Sequence, residues 1–265
     1  MNKQSQQGFT LLELAIVFVI IGVLLSYVFL PARAQLETAN IKKARAKLVE
    51  IEEALYGFAI ANGRLPCPTF PNENGKENPA NPAAYCKGSA NITGYIGFVP
   101  ANTLGLKGEV NCDGLLMDPW GNPYYYSVTN ADITGTEAIF IVQNAQGILN
   151  AGGPAVASAT ANIKVCNDLT AACNAATSSI DNAVAVIFST GTRQRNNSAT
   201  EDENAGQGAN IASSCSLPAY KIGSDALYYS ALRVEDTNKE FDDIVSWISP
   251  NILYAKLLQA GYTLQ

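Results

Sequence analysis

Gly8-Phe9-Thr10-Leu11-Leu12-Glu13 opens the stretch that decides the fold, and an apolar run from Leu14 to Leu30 follows it without a charge. A segment of ~17 to 25 apolar residues spans a bilayer as an α-helix. The run, with Phe9 to Leu12 ahead of it, is long enough. Glu13 is the discordant residue. A carboxylate at the centre of a membrane helix costs roughly 2.5 to 3.5 kcal/mol on insertion scales, less near an end, and such residues usually have a partner and a task.

Beyond the run the pattern stays helical from Ala32 to Asn62. Ile41, Ala44, Leu48, Ile51, Leu55 and Phe58 are spaced alternately by three and four, which makes one apolar seam. Gly63 suits the position after a helix, and Pro66 prevents continuation. As a single helix bent near Pro31, Phe9 to Asn62 would be roughly 80 Å long at 1.5 Å per residue. Its first half is apolar all round, suited to lipid or to copies of itself, and its amphipathic second half suits its own globular domain. The charges on that second half are sorted. Lys42, Lys43, Arg45 and Lys47 precede Glu50, Glu52 and Glu53, so the bands could pair between staggered neighbours or locally, as Lys47 to Glu50.

The 265 residues, 48% of them hydrophobic, can bury a core beyond the helix, most simply as one domain. A net charge of -6 leaves no basic excess to neutralise phosphates, so nucleic acid is not indicated as a partner. There is no histidine, which removes Ser-His-Asp and Cys-His catalysis and His-containing zinc sites. The chain does not read as an enzyme. Cys67, Cys86, Cys112, Cys166, Cys173 and Cys215 all follow the apolar run, and their even number suits disulfides in an oxidising compartment. Six cysteines allow fifteen connectivities, of which the closely spaced Cys166–Cys173 is the favoured local pair.

Residues 63–85, with five prolines among Asn and Gly, read as an extended, turn-rich connection beginning at Leu65-Pro66-Cys67-Pro68. Tyr124 to Thr129 and Ala138 to Val142 read as a hairpin. The turn-forming Asp118-Pro119-Trp120-Gly121-Asn122-Pro123 precedes them, with Trp120 expected to pack on the long helix. Residues 143–161, rich in Gly and Ala, read as an irregular loop. Ala183 to Ser189 is a buried-strand candidate, and Thr190 to Asn210 should be a long exposed loop. Glu201, Asp202, Glu203 and Asn204 carry hard oxygen donors of the kind calcium prefers, and Asp242 and Asp243 could join them. Asp243 to Ile248 can form a strand. Ser249 then caps a helix with Pro250 at its first position, Gly261 after its last turn, and Ile252, Leu253, Leu257 and Leu258 as its apolar face.

Gly-Phe-Thr-Leu-Leu-Glu at the head of an apolar helix resembles the leader junction of type IV prepilins and of the pseudopilins of type II secretion, and Gly22 fits the same pattern. The proline at Pro31 comes one residue later than in that family. The resemblance implies cleavage between Gly8 and Phe9 by an inner-membrane prepilin peptidase and N-methylation of Phe9. It also implies that Glu13 pairs with the terminal amine of a neighbouring subunit during assembly, a cation that would neutralise a carboxylate lipid disfavours. It puts the leader in the cytoplasm, although the basic residues from Arg33 to Lys47 outnumber Lys3 and the positive-inside rule leans the other way. Asp118 to Tyr124 resembles the segment that leads into a strand in the major pseudopilins, and some pseudopilins hold a structural calcium in a C-terminal loop.

The expected fold is α+β, the type IV pilin fold: a long N-terminal helix packed on an antiparallel sheet head with a short C-terminal helix. Residues 1–8 would be leader, 9–31 the transmembrane and fibre-core helix, 32–62 its amphipathic continuation and 63–265 the head. The expected function is that of a pilin or minor pilin subunit. It is held in the inner membrane with its head in the periplasm, then joined through its helix to other copies on an inner-membrane assembly platform. Two alternatives are a type II secretion pseudopilin and a membrane-anchored periplasmic binding module. An ordinary secretory signal ending at Ala32-Arg33-Ala34 would leave Glu13 unexplained, and the mature N-terminus separates the cases: Phe9, Gln35 or an uncut Met1.

Overall fold

The computed structural model describes residues 10–78, 86, 95–130, 140, 148, 161–167, 173, 178–192, 204, 210–213, 219–221, 227–233 and 241–263, with the side chains of residues 26–33, 210 and 221 outside that description. Helix α1 runs from Leu11 to Asn62, and its helical backbone carries through Pro31. It ends where Gly63 takes a left-handed φ of 65°, with its amide on the Ala59 carbonyl at 2.8 Å, the arrangement that satisfies an otherwise open helix end. The chain forms two compact units, Met1–Lys43 and Ala44–Gln265.

Among the described residues of the second unit the strands are β1 (Ile96–Phe98), β2 (Tyr125–Val128), β3 (Ile163–Cys166), β4 (Ser178–Ala183), β5 (Ala185–Ser189), β6 (Asn210–Ile211), β7 (Tyr220–Lys221), β8 (Leu227–Tyr229) and β9 (Ile244–Ile248), followed by helix α2 (Pro250–Gln259). The main sheet has the order β1-β2-β5-β9, antiparallel throughout. A second sheet, β4-β3-β8, has an antiparallel and a parallel pair, and β6-β7 forms a small antiparallel ribbon. Only Val184 separates β4 from β5, so the chain leaves one sheet and enters the other at that residue.

The main sheet is covered on both faces, which is why its strands show no polar alternation. Leu48, Ile51, Leu55, Tyr56 and Ala59 of α1 share one core with Tyr126 and Val128 of β2, Ala185 and Ile187 of β5, Ile248 of β9, and Leu253, Tyr254 and Leu257 of α2. On the opposite face Tyr125, Val186 and Phe188 pack with Phe98, Ile163, Val165 and Tyr228. The Tyr125 and Phe188 rings stack at 4.8 Å, a contact worth about 0.5 to 1.5 kcal/mol beyond the area it buries. The expected seam is realised from Ala44 to Leu55. It then turns to Tyr56 and Ala59, while Phe58 is half-buried under the Arg64 guanidinium.

Several expectations change. Both edges of β2 are occupied, by β1 and β5, so Tyr124 to Thr129 does not form a hairpin with Ala138 to Val142. Of that second segment only Phe140 is described, as a buried turn residue whose carbonyl accepts the Leu65 amide at 2.7 Å. Leu65 to Pro71, the start of the turn-rich connection, is buried. Thr69 bridges Phe98, Tyr126 Oη donates to the Pro66 carbonyl, and Cys67 is bonded to Cys86. A forked ion pair between Arg64 and Glu77, both bonds 2.7 Å, closes the same segment, and Glu77 also accepts the Cys67 amide. Trp120 is half-buried and stands outside the hydrophobic clusters, where Tyr124 and Tyr126 pack with the helix instead. On α2 the buried residues are Pro250, Leu253, Tyr254 and Leu257. Ile252 and Leu258 are 49% and 51% exposed, because the helix presents only one narrow stripe to the core. Ser249 occupies the N-cap position but makes no side-chain capping bond.

Candidate assembly site

The start of α1 is built by Thr10 and Glu13. The Thr10 amide and hydroxyl each donate to Glu13 Oε2 at 2.9 Å, and the Glu13 amide returns a bond to Thr10 Oγ1 at 3.3 Å. This reciprocal pattern is a capping box, in which a Ser or Thr and the Glu three residues later satisfy helix-end amides that would otherwise be open. Glu13 therefore has a partner within its own chain. Both Thr10 bonds fall on Oε2, so among the described residues Oε1 accepts nothing. The sequence signal for Thr10 was present in the T-x-x-E spacing. Gly8 and Phe9, the expected cleavage and methylation positions, lie outside the described residues.

From Leu11, which is 92% exposed, to Leu25 every described apolar side chain of α1 is exposed. An exposed helix that is apolar on all sides needs an apolar surrounding, since each such side chain gains about 1.5 to 3 kcal/mol on full burial. Among the described residues no helix is long and apolar enough to cross a membrane; the side chains described within the apolar run stop at Leu25.

Farther along α1 the acidic band is engaged by its own chain. Glu50 pairs with Lys47 at 2.5 Å, and Lys47 also donates to the Lys107 carbonyl. Glu52 accepts from Tyr56 Oη and Ser246 Oγ at 3.1 Å each, and Glu53 holds Lys256 at 2.9 Å. Burial, and then the Glu52 carboxylate, push the Tyr56 hydroxyl far above its ordinary range, which keeps it a donor. The local alternative for these charges thus describes the acidic residues.

In the head, Cys67 pairs with Cys86 and Cys166 with Cys173, with Cα separations of 5.4 and 5.8 Å. The pair at 166 and 173 is the local one expected from spacing. Cys112 is disulfide-bonded, and Cys215 lies outside the described residues.

Of the calcium candidates, Glu201, Asp202 and Glu203 lie outside the described residues, and Asn204, Asp242 and Asp243 are described. Asn204, only 1% exposed, is not part of an open loop. Its carboxamide accepts the Tyr229 amide and donates to the Tyr229 carbonyl and to Asp243 Oδ2 at 2.6, 2.9 and 2.7 Å. It stands in for a strand partner of β8 and reaches the start of β9. Asp242 Oδ2 accepts the Thr192 amide and hydroxyl, while Asp242 Oδ1 is buried without a hydrogen-bond partner among the described residues. Among the described residues no group of three or more His, Cys, Asp or Glu is gathered for a metal.

Residues 3–29 match the family model of the prokaryotic N-terminal methylation motif. The chain is similar to type II secretion system core protein G of Aeromonas hydrophila, at 34% identity over 131 residues, which are 47% of this chain and 74% of that protein. It is similar to the core protein G of Escherichia coli K12, at 35% identity over 45% of this chain and 70% of that protein. The Vibrio cholerae core protein G is 33% identical over 47% of this chain and 73% of its own length. No solved structure matches the chain. With the methylation motif at its start and an α+β head on a long helix, the chain belongs to the prepilin and pseudopilin family that includes core protein G, as a pilin-like structural subunit.

Proposed function

We propose that the chain is inserted in the inner membrane through residues 9–31 with its head in the periplasm. It is then cut after Gly8 by a prepilin peptidase, methylated at Phe9 and drawn through an assembly platform into a helical fibre of pilin-like subunits. The observation that carries this reading is the start of α1: an all-apolar, exposed helix headed by a carboxylate with one oxygen fixed by Thr10 and the other open among the described residues. Thr10 orients Glu13, and Oε1 is the atom that would accept the terminal amine of a neighbouring copy. In the absence of water that ion pair compensates two charges lipid disfavours. Glu13→Ala in the full chain is expected to abolish fibre incorporation while the subunit accumulates in the membrane at normal level. A merely anchored periplasmic binding module would instead keep its localisation and its binding activity in that variant.

The fibre is read as a type II secretion pseudopilus on the strength of core protein G in three organisms. The matched share, under half of this chain, favours a pilus or minor tip subunit with an enlarged head as the second reading. Neighbouring genes for a secretin and exported hydrolases, or for pilus components, separate the two. Calcium is proposed at the corner formed by Asp242 and Asp243. The buried, unpartnered Asp242 Oδ1 supports it, and Asn204 would orient Asp243 rather than act as a ligand. A rise in melting temperature on adding calcium, reversed by chelator, is the expected outcome, and an unchanged melting temperature discards the ion.

A further inference from the structure

The turn ahead of β2 places a carboxylate where water does not reach. Asp118 is 4% exposed, with Oδ1 accepting the Trp120 and Asn122 amides at 2.9 and 2.8 Å and Oδ2 accepting the Ser189 hydroxyl at 2.6 Å. Every one of these donors is neutral. Among the described residues no Lys or Arg is paired with Asp118, an unusual state for a buried acid, which is ordinarily matched by a cation.

The same groups continue to the far end of β5. Ser189 Oγ also accepts the Gly191 amide at 3.2 Å, and Asn122 Nδ2 donates to the Gly191 carbonyl at 2.7 Å. Gly191 has a φ of 63° and lies so close to Asp242 that a Cβ there would come within 2.7 Å of the Asp242 carbonyl oxygen, so this corner has no slack. Thr192 is held by Asp242 in turn. The titratable groups around the carboxylate are Tyr124, which feels Asp118 and then Glu50 of α1, and Asp242 across Gly191. None of them supplies a positive charge.

We propose that Asp118 is a proton-operated clasp: when it takes up a proton, the turn before β2 and the Gly191 corner after β5 are drawn together, so acidification tightens the head. Protonation leaves Oδ1 free to accept both backbone amides and reverses the Oδ2–Ser189 Oγ bond, which is kept while a buried charge is removed; the Ser189 hydroxyl proton is released from Oδ2, and its oxygen accepts from Asp118 and from the Gly191 amide. Burial pushes the carboxyl up from its usual 3.8 to about 6, against the opposing pull of the Ser189, Asn122, Trp120 and Gly121 bonds. With the folded value raised, the stabilisation is complete below about pH 3.8 and is lost as pH rises through about 6.

Asp118→Asn mimics the neutral state at every pH. In full-length protein in detergent micelles, the ratio of the unfolding constants of wild type and Asp118→Asn is expected to fall about tenfold between pH 7.5 and pH 5. A ratio independent of pH overturns the proposal. If the Asn variant does not fold, the wild type still decides. A 13C-labelled aspartate carboxyl should titrate near pH 6 and move higher in Ser189→Ala, which removes a bond favouring the charged form. Titration of every aspartate below pH 5 overturns it. Coupling to the corner is read from the Gly191 amide, whose hydrogen-exchange protection, corrected for intrinsic rate, should rise on acidification in wild type. Flat protection means that the turn titrates alone and there is no clasp.

Discussion

Two stretches of α1 differ in where their apolar side chains find company. From Ala44 to Asn62 the helix buries Leu48, Ile51, Leu55, Tyr56 and Ala59 against its own sheet and α2, and its acidic residues bond to Ser246, Lys47 and Lys256. From Leu11 to Leu25 the described apolar side chains are exposed, and the one charged residue is held by Thr10. The difference teaches that secondary structure and tertiary burial are separate problems. The first stretch is helical because its spacing, its N-terminal capping box and the absence of an interrupting charge allow it. Its described apolar side chains are exposed, so it requires an apolar surrounding that the described residues do not supply.

The sharpest way to break this contrast is to shorten one apolar side chain in each stretch. Leu55→Ala removes buried methyl groups from the core that joins α1, β2, β5 and α2, and is expected to cost about 2 to 5 kcal/mol in chemical unfolding of the head. Ile20→Ala, on the exposed stretch, is expected to leave the same unfolding curve within about 0.5 kcal/mol. Equal effects would mean that the first stretch also packs on its own head. A loss of fibre incorporation in Ile20→Ala with a normal unfolding curve would place its company in neighbouring subunits.

Much of this contrast was legible in the residues. The seam of three-and-four spacing, Gly63 after the helix, the Pro250 start of α2 and the continuous apolar run of β5 are local signals, and each marks an element where the structure has one. What is not local was not legible. Which strands flank β2 depends on residues about 30 positions before it and 60 after it, so two neighbouring β-prone segments read as a hairpin that the sheet does not contain. Proline-rich Leu65 to Pro71 reads by composition as a turn-rich connection, which leaves its burial unstated, and it is buried by a disulfide, a Thr69–Phe98 bridge and the Arg64–Glu77 pair. Asn204 sits in a polar stretch that gives no hint of its burial. At the candidate assembly site the T-x-x-E pattern exposes Thr10, whereas the partner copy proposed for Glu13 Oε1 belongs to no single chain's pattern.

A smaller effect sharpens the comparison from the charged side. Lys256 of α2 reaches Glu53 of α1 at 2.9 Å and lies 4.5 Å from the centre of the Tyr56 ring, so it links α1 to α2 by charge. Glu53 is largely exposed, and exposed pairs contribute about 0 to 1 kcal/mol after side-chain entropy and screening. The cation–π contact adds about 0.5 to 1 kcal/mol at such a site. Lys256→Met keeps most of the aliphatic stem and removes the charge, so it is expected to lower stability by about 0.5 to 1.5 kcal/mol, and by less in 1 M salt. If Lys256→Met instead leaves the head unchanged and impairs fibre formation, Glu53 and Lys256 are used between subunits. The second stretch of α1 would then be shaped for a neighbour as well as for its own sheet.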